Sequence, residues 1–165
     1  MDIINTFDID APVNAAWQLL GEEFGDVSWA DPVIASSLDG PLAQGVTRIC
    51  NVKAIGPIPA GEVTETLSEF NRQKKVLTYV IETGRPPFLT HMQNRWTLEG
   101  RDATSSIANS TLSYRLTWWA MPFAPLISIM LKKAIKPLLA QFRDAVQARY
   151  QTDPDAARPR SSQAV

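Results

Sequence analysis

The 165-residue sequence predicts an α+β fold in which a curved antiparallel sheet wraps around one long C-terminal helix. The first observation is a run of strand-like segments over residues 46–118 with very short connections, so that neighbouring strands must pair antiparallel. The second is a long apolar stripe at helical spacing that begins near Pro122. Such a sheet buries the stripe and leaves a space beside the helix for a small apolar ligand.

The first part of the chain predicts one strand followed by two short helices. Apolar and polar residues alternate over residues 3–10, which is typical of a half-buried strand. Apolar residues at helical spacing follow over residues 13–20, and Gly21 ends this run. A second short helix is expected around residues 22–29, before Pro32.

The middle of the chain predicts five further strands, at residues 46–52, 62–70, 76–82, 89–98 and 105–118. Residues 38–44 are compatible with a loop or with one more strand of the same sheet. Turn-forming residues separate the later strands, and their short length indicates hairpin connections.

A long amphipathic helix completes the predicted fold. Its apolar stripe contains Phe123, Ile127, Met130, Ala134, Leu138, Phe142 and Val146, widened by Leu126, Leu131, Ile135 and Leu139. Residues 1–150 therefore predict a single domain. Residues 151–165 are polar and contain Pro154 and Pro159, which predicts a disordered tail.

Composition narrows the classes of function. Sixteen basic and seventeen acidic side chains give a formal net charge of −1, which disfavours a dedicated nucleic-acid-binding protein. The single cysteine, Cys50, excludes an internal disulfide, and the single histidine, His91, leaves one possible imidazole base. We therefore expect neither a metal site nor a bound cofactor. No secretory signal or bilayer-length apolar run is visible, so a cytoplasmic protein is expected.

Several short motifs resemble one known superfamily in their order and spacing. They are Trp29 with Pro32-Val33-Ile34, Gly45-Val46-Thr47-Arg48, Glu62-Val63-Thr64-Glu65-Thr66-Leu67, Val76-Leu77-Thr78-Tyr79 and Gly84-Arg85-Pro86-Pro87. Together they resemble the helix-grip fold of the START-like, birch-pollen-allergen-like (SRPBCC) superfamily, and in particular its polyketide cyclase/dehydrase branch. The resemblance covers most of the chain and implies a cavity for a small hydrophobic ligand.

The plant abscisic acid receptors belong to the same branch, and one of their loops has a counterpart here. Gly56-Pro57-Ile58-Pro59-Ala60 is similar to the receptor gate loop, which implies that Pro57, Ile58 and Pro59 contact a ligand at the pocket mouth. The receptor latch is not kept at residues 85–89, and no lysine stands near Ile34 or Ala35 for a ligand carboxylate. Abscisic acid itself is therefore not the expected ligand.

Glu65 is the candidate catalytic residue and also a candidate ligand contact. It shares a strand face with Val63 and Leu67, and the resemblance implies a pocket-lining glutamate at this position. Carboxylates in apolar surroundings hold a proton more readily, which suits a general acid/base or a ligand contact. In the opposite assignment of faces, the hydroxyl-bearing residues that alternate with Glu65 point inward and the glutamate is solvated.

The remaining candidate ligand contacts lie on inward strand faces and on the long helix: Tyr79, Met92, Asn94, Trp96, Leu112, Tyr114, Ile127, Met130 and Leu131. The Asn94 amide suits a ligand carbonyl or hydroxyl, or else a neighbouring backbone group. Tyr79 and Tyr114 suit either the core or a ligand. Alternation places His91 on the outer face of its strand, and Cys50 is expected in the core.

Lys132, Lys133 and Lys136 form a basic patch on the long helix. Together with the apolar run before it, this patch is compatible with contact to a membrane surface. The favoured interpretation is the solvated face of a packed amphipathic helix.

Three functions fit these residues. The first is a carrier or sensor that binds a small hydrophobic molecule such as a lipid, polyketide or aromatic metabolite. The second is a cyclase/dehydrase-type enzyme in which Glu65 and tyrosines move protons. The third is a module that regulates a partner when ligand closes the loop at residues 56–60. The sequence offers no nucleophile–base pair, metal cluster or phosphate loop, which favours binding.

Overall fold

The computed structural model describes residues 1–55 and 59–157. Within these residues the strands are β1 (Asp2–Ile9), β2 (Val33–Leu38), β3 (Thr47–Val52), β4 (Gly61–Asn71), β5 (Val76–Thr83), β6 (Leu89–Gly100) and β7 (Ser106–Leu116). The α-helices are α1 (Val13–Trp17), which a π-helical turn extends over Gln18–Glu22, and α2 (Ala124–Thr152). Short 3-10 turns cover Trp118–Phe123 and Pro154–Ala157.

The strands form one sheet in the order β1-β7-β6-β5-β4-β3-β2, and every neighbouring pair is antiparallel. Apart from the closure of β1 onto β7, each strand pairs with its neighbour in sequence, as short connections require. The long helix α2 packs on this sheet. The arrangement confirms the predicted α+β helix-grip fold.

Two apolar clusters form the core between the sheet and the helices. In the first, Phe142 of α2 packs edge-on against Trp96 of β6, with ring centroids 5.2 Å apart, together with Trp17 of α1. In the second, Ile127 and Leu131 of α2 pack with residues of β6 and β7. Burying the apolar stripe of α2 in these clusters stabilises the helix far more than its intrinsic propensity does.

The segment between α1 and β2 differs from the sequence prediction. The first helix does not end at Gly21 but continues to Glu22 as a π-helical turn. Gly21 lies against the Trp17 ring, where a Cβ would be only 2.5 Å from a ring carbon, so a larger residue does not fit there. The second short helix, expected around residues 22–29, is absent from this described segment, which consists of turns. Ser36 fixes this segment through two hydrogen bonds. Its hydroxyl donates to the Gly25 carbonyl at 2.8 Å and accepts from the Val27 amide at 3.2 Å.

Strand β2 is the element that the sequence prediction lacked. Residues 33–38 form the strand, and residues 39–45 form bends and turns, so the loop interpretation holds for most of residues 38–44. The strand lies at the edge of the sheet and is only partly covered, so its sequence shows little alternation between apolar and polar residues.

The buried face of α2 is turned relative to the predicted stripe. Its buried residues are Ile127, Leu131, Leu139, Phe142 and Val146. Phe123 precedes the helix in a 3-10 turn and is 57% exposed, and Met130 lies off the buried face and is 38% exposed. The helix ends at Thr152 and a further turn covers residues 154–157, so regular structure continues past the expected start of the tail at residue 151. The rest of that tail, residues 158–165, lies outside the described residues.

Gly84, in the turn between β5 and β6, offers a test of this backbone geometry. Its φ is +78°, and a Cβ there would lie 2.6 Å from the Glu62 carbonyl oxygen, so we expect Gly84→Ala to lower the free energy of unfolding by about 3 kcal/mol. Gly45→Ala, at φ +93° with open space around it, should lower it by only about 1 kcal/mol. Gly40→Ala, with open space and no such φ, is the control and should change it by less than about 0.5 kcal/mol. Urea unfolding that ranks the three variants differently would contradict the strain assigned to the Gly84 backbone.

Candidate functional site

A cavity of about 160 Å³ lies between the sheet and α2. Members of both core clusters line it, so its walls are mainly apolar. The ionisable or amide-bearing residues in its wall are Asp26, Arg48, Cys50, Glu65, Tyr79, Arg85 and Asn94. Apolar cavities with a few polar groups are the usual form of small-molecule sites, which makes this the candidate functional site.

A buried ion pair between Arg48 and Glu65 dominates the polar wall. The two residues face each other across the antiparallel register of β3 and β4, which places their side chains on the same face of the sheet. Arg48 Nε donates to Glu65 Oε2 at 2.7 Å, and Arg48 Nη2 donates to the same oxygen. Both residues are at least nine-tenths buried, so this pair is shielded from water.

Arg48 also holds the segment that follows α1 against the sheet. Its Nη1 donates to the Phe24 carbonyl at 2.8 Å, and the guanidinium lies 4.1 Å from the centroid of the Phe24 ring. The Tyr79 ring lies on a second side at 5.3 Å. Burial opposes the charge of the guanidinium, but the Glu65 carboxylate together with Tyr79 and Cys50 outweighs it, so the pKa of Arg48 is raised. The side chain is therefore a permanent cation enclosed by two rings and a carboxylate.

The two oxygens of the Glu65 carboxylate have different surroundings. Oε2 receives both donors from Arg48 and lies 4.0 Å from the Cys50 thiol. Oε1 accepts no hydrogen bond from any residue in ranges 1–55 and 59–157, and Glu65 lines the cavity. Because a carboxylate oxygen can accept two hydrogen bonds, Oε1 is the acceptor that remains available to a ligand.

A short chain of hydrogen bonds forms the neighbouring part of the wall. Ser110 donates to the Asn94 side-chain carbonyl at 2.9 Å, and the Asn94 amide donates to the Tyr79 hydroxyl at 3.3 Å. Burial, and then the charge of Glu65, raise the pKa of Tyr79, so the phenol keeps its proton at neutral pH. Asn94 is thus oriented by the protein, and the Tyr79 hydroxyl is a possible donor to a ligand oxygen.

Six of the residues predicted from sequence line this cavity: Glu65, Tyr79, Met92, Asn94, Trp96 and Leu112. Alternation along β4, β5, β6 and β7 therefore assigned the inward faces of these strands as the structure has them. Whether these side chains bind a ligand stays a prediction.

Other predicted site residues do not line the cavity. Tyr114, Ile127 and Leu131 are buried in the second core cluster, where they pack against neighbouring apolar side chains. Met130 and Pro59 are exposed, the former because α2 turns it away from the sheet. Pro57 and Ile58 lie outside the described residues.

His91 lies on the face of β6 opposite Met92 and Asn94. It is partly buried, its Nε2 is 3.2 Å from Gln93 Oε1, and it does not line the cavity. Cys50 belongs to the second core cluster, as expected from the sequence, and it also lines the cavity.

Sequence reasoning missed Arg48 as a site residue. It shares the inward face of β3 with Cys50 and Val52, so a charged residue on an apolar strand face was a visible signal. Arg85 was also missed; it lines the cavity and holds the β5–β6 turn by donating from Nη1 to the Ile81 carbonyl at 2.8 Å.

A family comparison covers nearly the whole chain. The model of the family described as polyketide cyclase / dehydrase and lipid transport matches residues 2–147. The chain belongs to this family. The match confirms the superfamily branch that the sequence motifs predicted, and it is compatible with either ligand binding or cyclase activity. No protein with a curated description matches the chain.

Solved structures share the fold at low sequence identity. The Zhui aromatase/cyclase from Streptomyces sp. R1128 is 16% identical over 100% of this chain and 99% of its own, with a TM-score of 0.72. The di-domain aromatase/cyclase BexL of the BE-7585A biosynthetic pathway is 15% identical over 94% of this chain and 48% of its own, at 0.78. Norcoclaurine synthase from Thalictrum flavum, solved with a transition-state analogue, is 16% identical over 93% and 96%, at 0.69. At these identities the likeness concerns the fold.

Removing one member of the buried pair leaves the other charge without its partner. We expect Arg48→Met and Glu65→Leu each to lower the free energy of unfolding by about 3–5 kcal/mol, as measured by urea unfolding. The double variant should recover most of the loss, because apolar replacement of a buried pair is often close to neutral.

The exposed pair of Arg101 and Asp8, with 2.9 Å between its charged atoms, provides the matched control. Arg101→Met and Asp8→Leu should each change stability by less than about 1 kcal/mol. Equal changes in the free energy of unfolding at the two pairs would show that burial does not make the Arg48–Glu65 pair more important for stability.

Cys50 provides a pH test of the same wall. Burial and the Glu65 charge raise the pKa of its thiol from 9.0 to about 11, so it should react with iodoacetamide at least about 100-fold more slowly when folded than when unfolded at pH near 8. Because folding raises the pKa of the thiol, its contribution to stability is fully present at pH values below the unfolded pKa of 9.0. This contribution is lost as the pH rises from 9.0 towards 11. Cys50→Ser should remove that part of the decline in stability. A fast, fully accessible thiol at neutral pH would contradict the assignment.

Proposed function

We propose that the protein binds a small, mainly apolar molecule in this cavity, as a carrier or sensor. A hydrogen-bond donor of the ligand is then bound by the Glu65 carboxylate. The observation that carries the proposal is the free Oε1 of a fixed carboxylate in a mainly apolar wall. An acceptor in the wall of an apolar cavity that has no protein partner favours a ligand that supplies a donor.

The size of the cavity limits the ligand. Its volume of about 160 Å³ is close to that of an engineered apolar protein cavity that binds benzene. The enclosed part of the ligand is therefore about one aromatic ring or a short acyl chain. A larger molecule would have to extend out of the mouth of the cavity.

The charge of the wall limits the chemistry of the ligand. Arg48 already gives Glu65 two donors, and it donates a third to the Phe24 carbonyl, so its cationic charge is matched inside the protein. An anionic ligand at this point would face the remaining carboxylate oxygen. The wall therefore favours a neutral phenol or alcohol, whose hydroxyl donates to Glu65 Oε1 while its oxygen accepts from Tyr79.

A second candidate function is acid/base catalysis of the cyclase/dehydrase type. It is favoured by the presence of Glu65 and protonated Tyr79 in one wall, close enough for the carboxylate to raise the pKa of the phenol. Glu65 Oε1 would take a proton from a carbon beside a carbonyl, and Tyr79 would donate to the carbonyl oxygen. The family description and the names of the aromatase/cyclase structures agree with this chemistry.

Tyr79→Phe separates the two candidates, because it removes the acid and leaves the shape of the cavity. Turnover of a short poly-β-ketone by the native protein that is lost in Tyr79→Phe, with binding retained, would establish the enzyme. The partner-regulating alternative depends on the loop at residues 56–60, of which only Pro59 and Ala60 are described, and it stays a prediction.

The binding proposal is tested with para-cresol and toluene, which differ by one hydroxyl group. We expect the native protein to bind para-cresol at least about tenfold more tightly in calorimetric titration, because a hydrogen bond to a charged group contributes about 1.5–3 kcal/mol. The Arg48→Met/Glu65→Leu variant should bind toluene and lose the preference for cresol.

The Arg101→Met/Asp8→Leu variant is the control, and it should keep the preference of the native protein. Equal affinity for both probes in the native protein would refute the role of Glu65. Native mass spectrometry of freshly purified protein would then identify any molecule that occupies the cavity.

A further inference from the structure

A large apolar patch covers the junction between the sheet and α2. We define it by the exposed residues Trp118, Trp119, Met121, Phe123, Leu126 and Ile129. These are six of the ten large hydrophobic residues that are exposed in the described ranges 1–55 and 59–157. Trp118 is 86% exposed, far more than ordinary packing of an aromatic residue allows. Exposed large apolar side chains that cluster in one short segment mark a candidate interaction site.

A group of positive charges borders the patch. Lys132, Lys133 and Lys136 follow Ile129 at helical spacing and are exposed, so the apolar surface of α2 continues directly into a basic one. No acidic residue occurs between Asp102 and Asp144 in the sequence, although the whole chain has a net charge of −1. The stretch of chain that contains the patch and the lysines is therefore basic, although the whole chain is not.

The patch begins beside a connection that lines the cavity. The Thr117 amide, at its start, donates to the Phe88 carbonyl at 3.0 Å, in the connection between β5 and β6. Gly84 and Arg85 of the same connection line the cavity. A surface that covers the patch therefore also comes close to the cavity.

We propose that this patch docks the protein onto the surface of an anionic lipid bilayer. Tryptophan side chains favour the interface between headgroups and acyl chains, and lysines beside them attract anionic headgroups. The first turns of α2 would lie in the plane of the interface. No described helix is long and apolar enough to cross a bilayer, so the contact is peripheral.

A second copy of the chain fits the patch less well than a bilayer. In a symmetric dimer the same surface meets itself, so one interface would carry six lysines, which are Lys132, Lys133 and Lys136 from each copy. Like charges oppose such a contact, whereas anionic lipids neutralise them. The sequence alone favoured a solvated helix face for these lysines, and the exposure of the apolar patch beside them changes that interpretation.

Vesicle co-sedimentation of the full chain tests the proposal. We expect binding to phosphatidylcholine vesicles that contain about 30% phosphatidylserine, and much weaker binding to pure phosphatidylcholine. The triple variant Lys132→Gln/Lys133→Gln/Lys136→Gln should bind the anionic vesicles on the order of 100-fold more weakly, from about fivefold per lysine. Trp118→Ala/Trp119→Ala should also weaken binding, and salt near 1 M should weaken binding of the native protein.

Matched controls change equivalent residues elsewhere on the surface. Lys74→Gln removes an exposed lysine, and Ile4→Ala with Ile34→Ala removes exposed apolar side chains at 70% and 67% exposure. These controls should bind like the native protein, and all variants should keep native binding of para-cresol in solution. The docking result is therefore independent of the ligand proposal.

The proposal is overturned if the native protein ignores anionic vesicles or if patch and control variants bind alike. It is also overturned if sedimentation shows a dimer that Trp118→Ala/Trp119→Ala dissociates while vesicles are not bound, because the patch would then serve a second copy.

Discussion

The buried ion pair of Arg48 and Glu65 is the interaction on which the site depends. It links β3 to β4, and its arginine also fixes the Phe24 backbone and contacts two aromatic rings. Desolvating two charges is costly, so such a pair is weak support for stability but a strong constraint on arrangement. It positions the wall of the cavity and leaves one carboxylate oxygen directed to whatever enters.

The sequence predicted the parts of this fold that depend on local pattern. Strands β4 to β7 alternate clearly and are joined by short turns, so their order, pairing and inward faces could be derived from the sequence. Edge strand β2 was missed because it is covered on neither face well enough to select apolar residues. The buried face of α2 differs from the predicted stripe because many of its residues are apolar. Only packing against the sheet decides that Leu131 is buried and Met130 is exposed.

The site was predictable in part for a related reason. Glu65 could be found from alternation within one strand, but its pairing with Arg48 depends on the register between two strands. The sequence predicted an unpaired Glu65 carboxylate, whereas in the structure one of its oxygens is bound by Arg48 and the other is available. This difference supports the proposed ligand binding over proton transfer, and it is the reason for proposing a neutral ligand.

The closure of β1 onto β7 has a consequence for how the chain reaches this structure. Asp2 pairs with Ser113 and Ile9 with Ser106, so the first strand waits for a partner that is synthesised about a hundred residues later. Contacts so distant in sequence must overcome a large loop-closure entropy, and folds rich in them assemble slowly. On the ribosome the sheet cannot be completed until nearly all of it has been translated. Until then both edges of β1 are unpaired, and at this stage the nascent chain is exposed to aggregation or to chaperones.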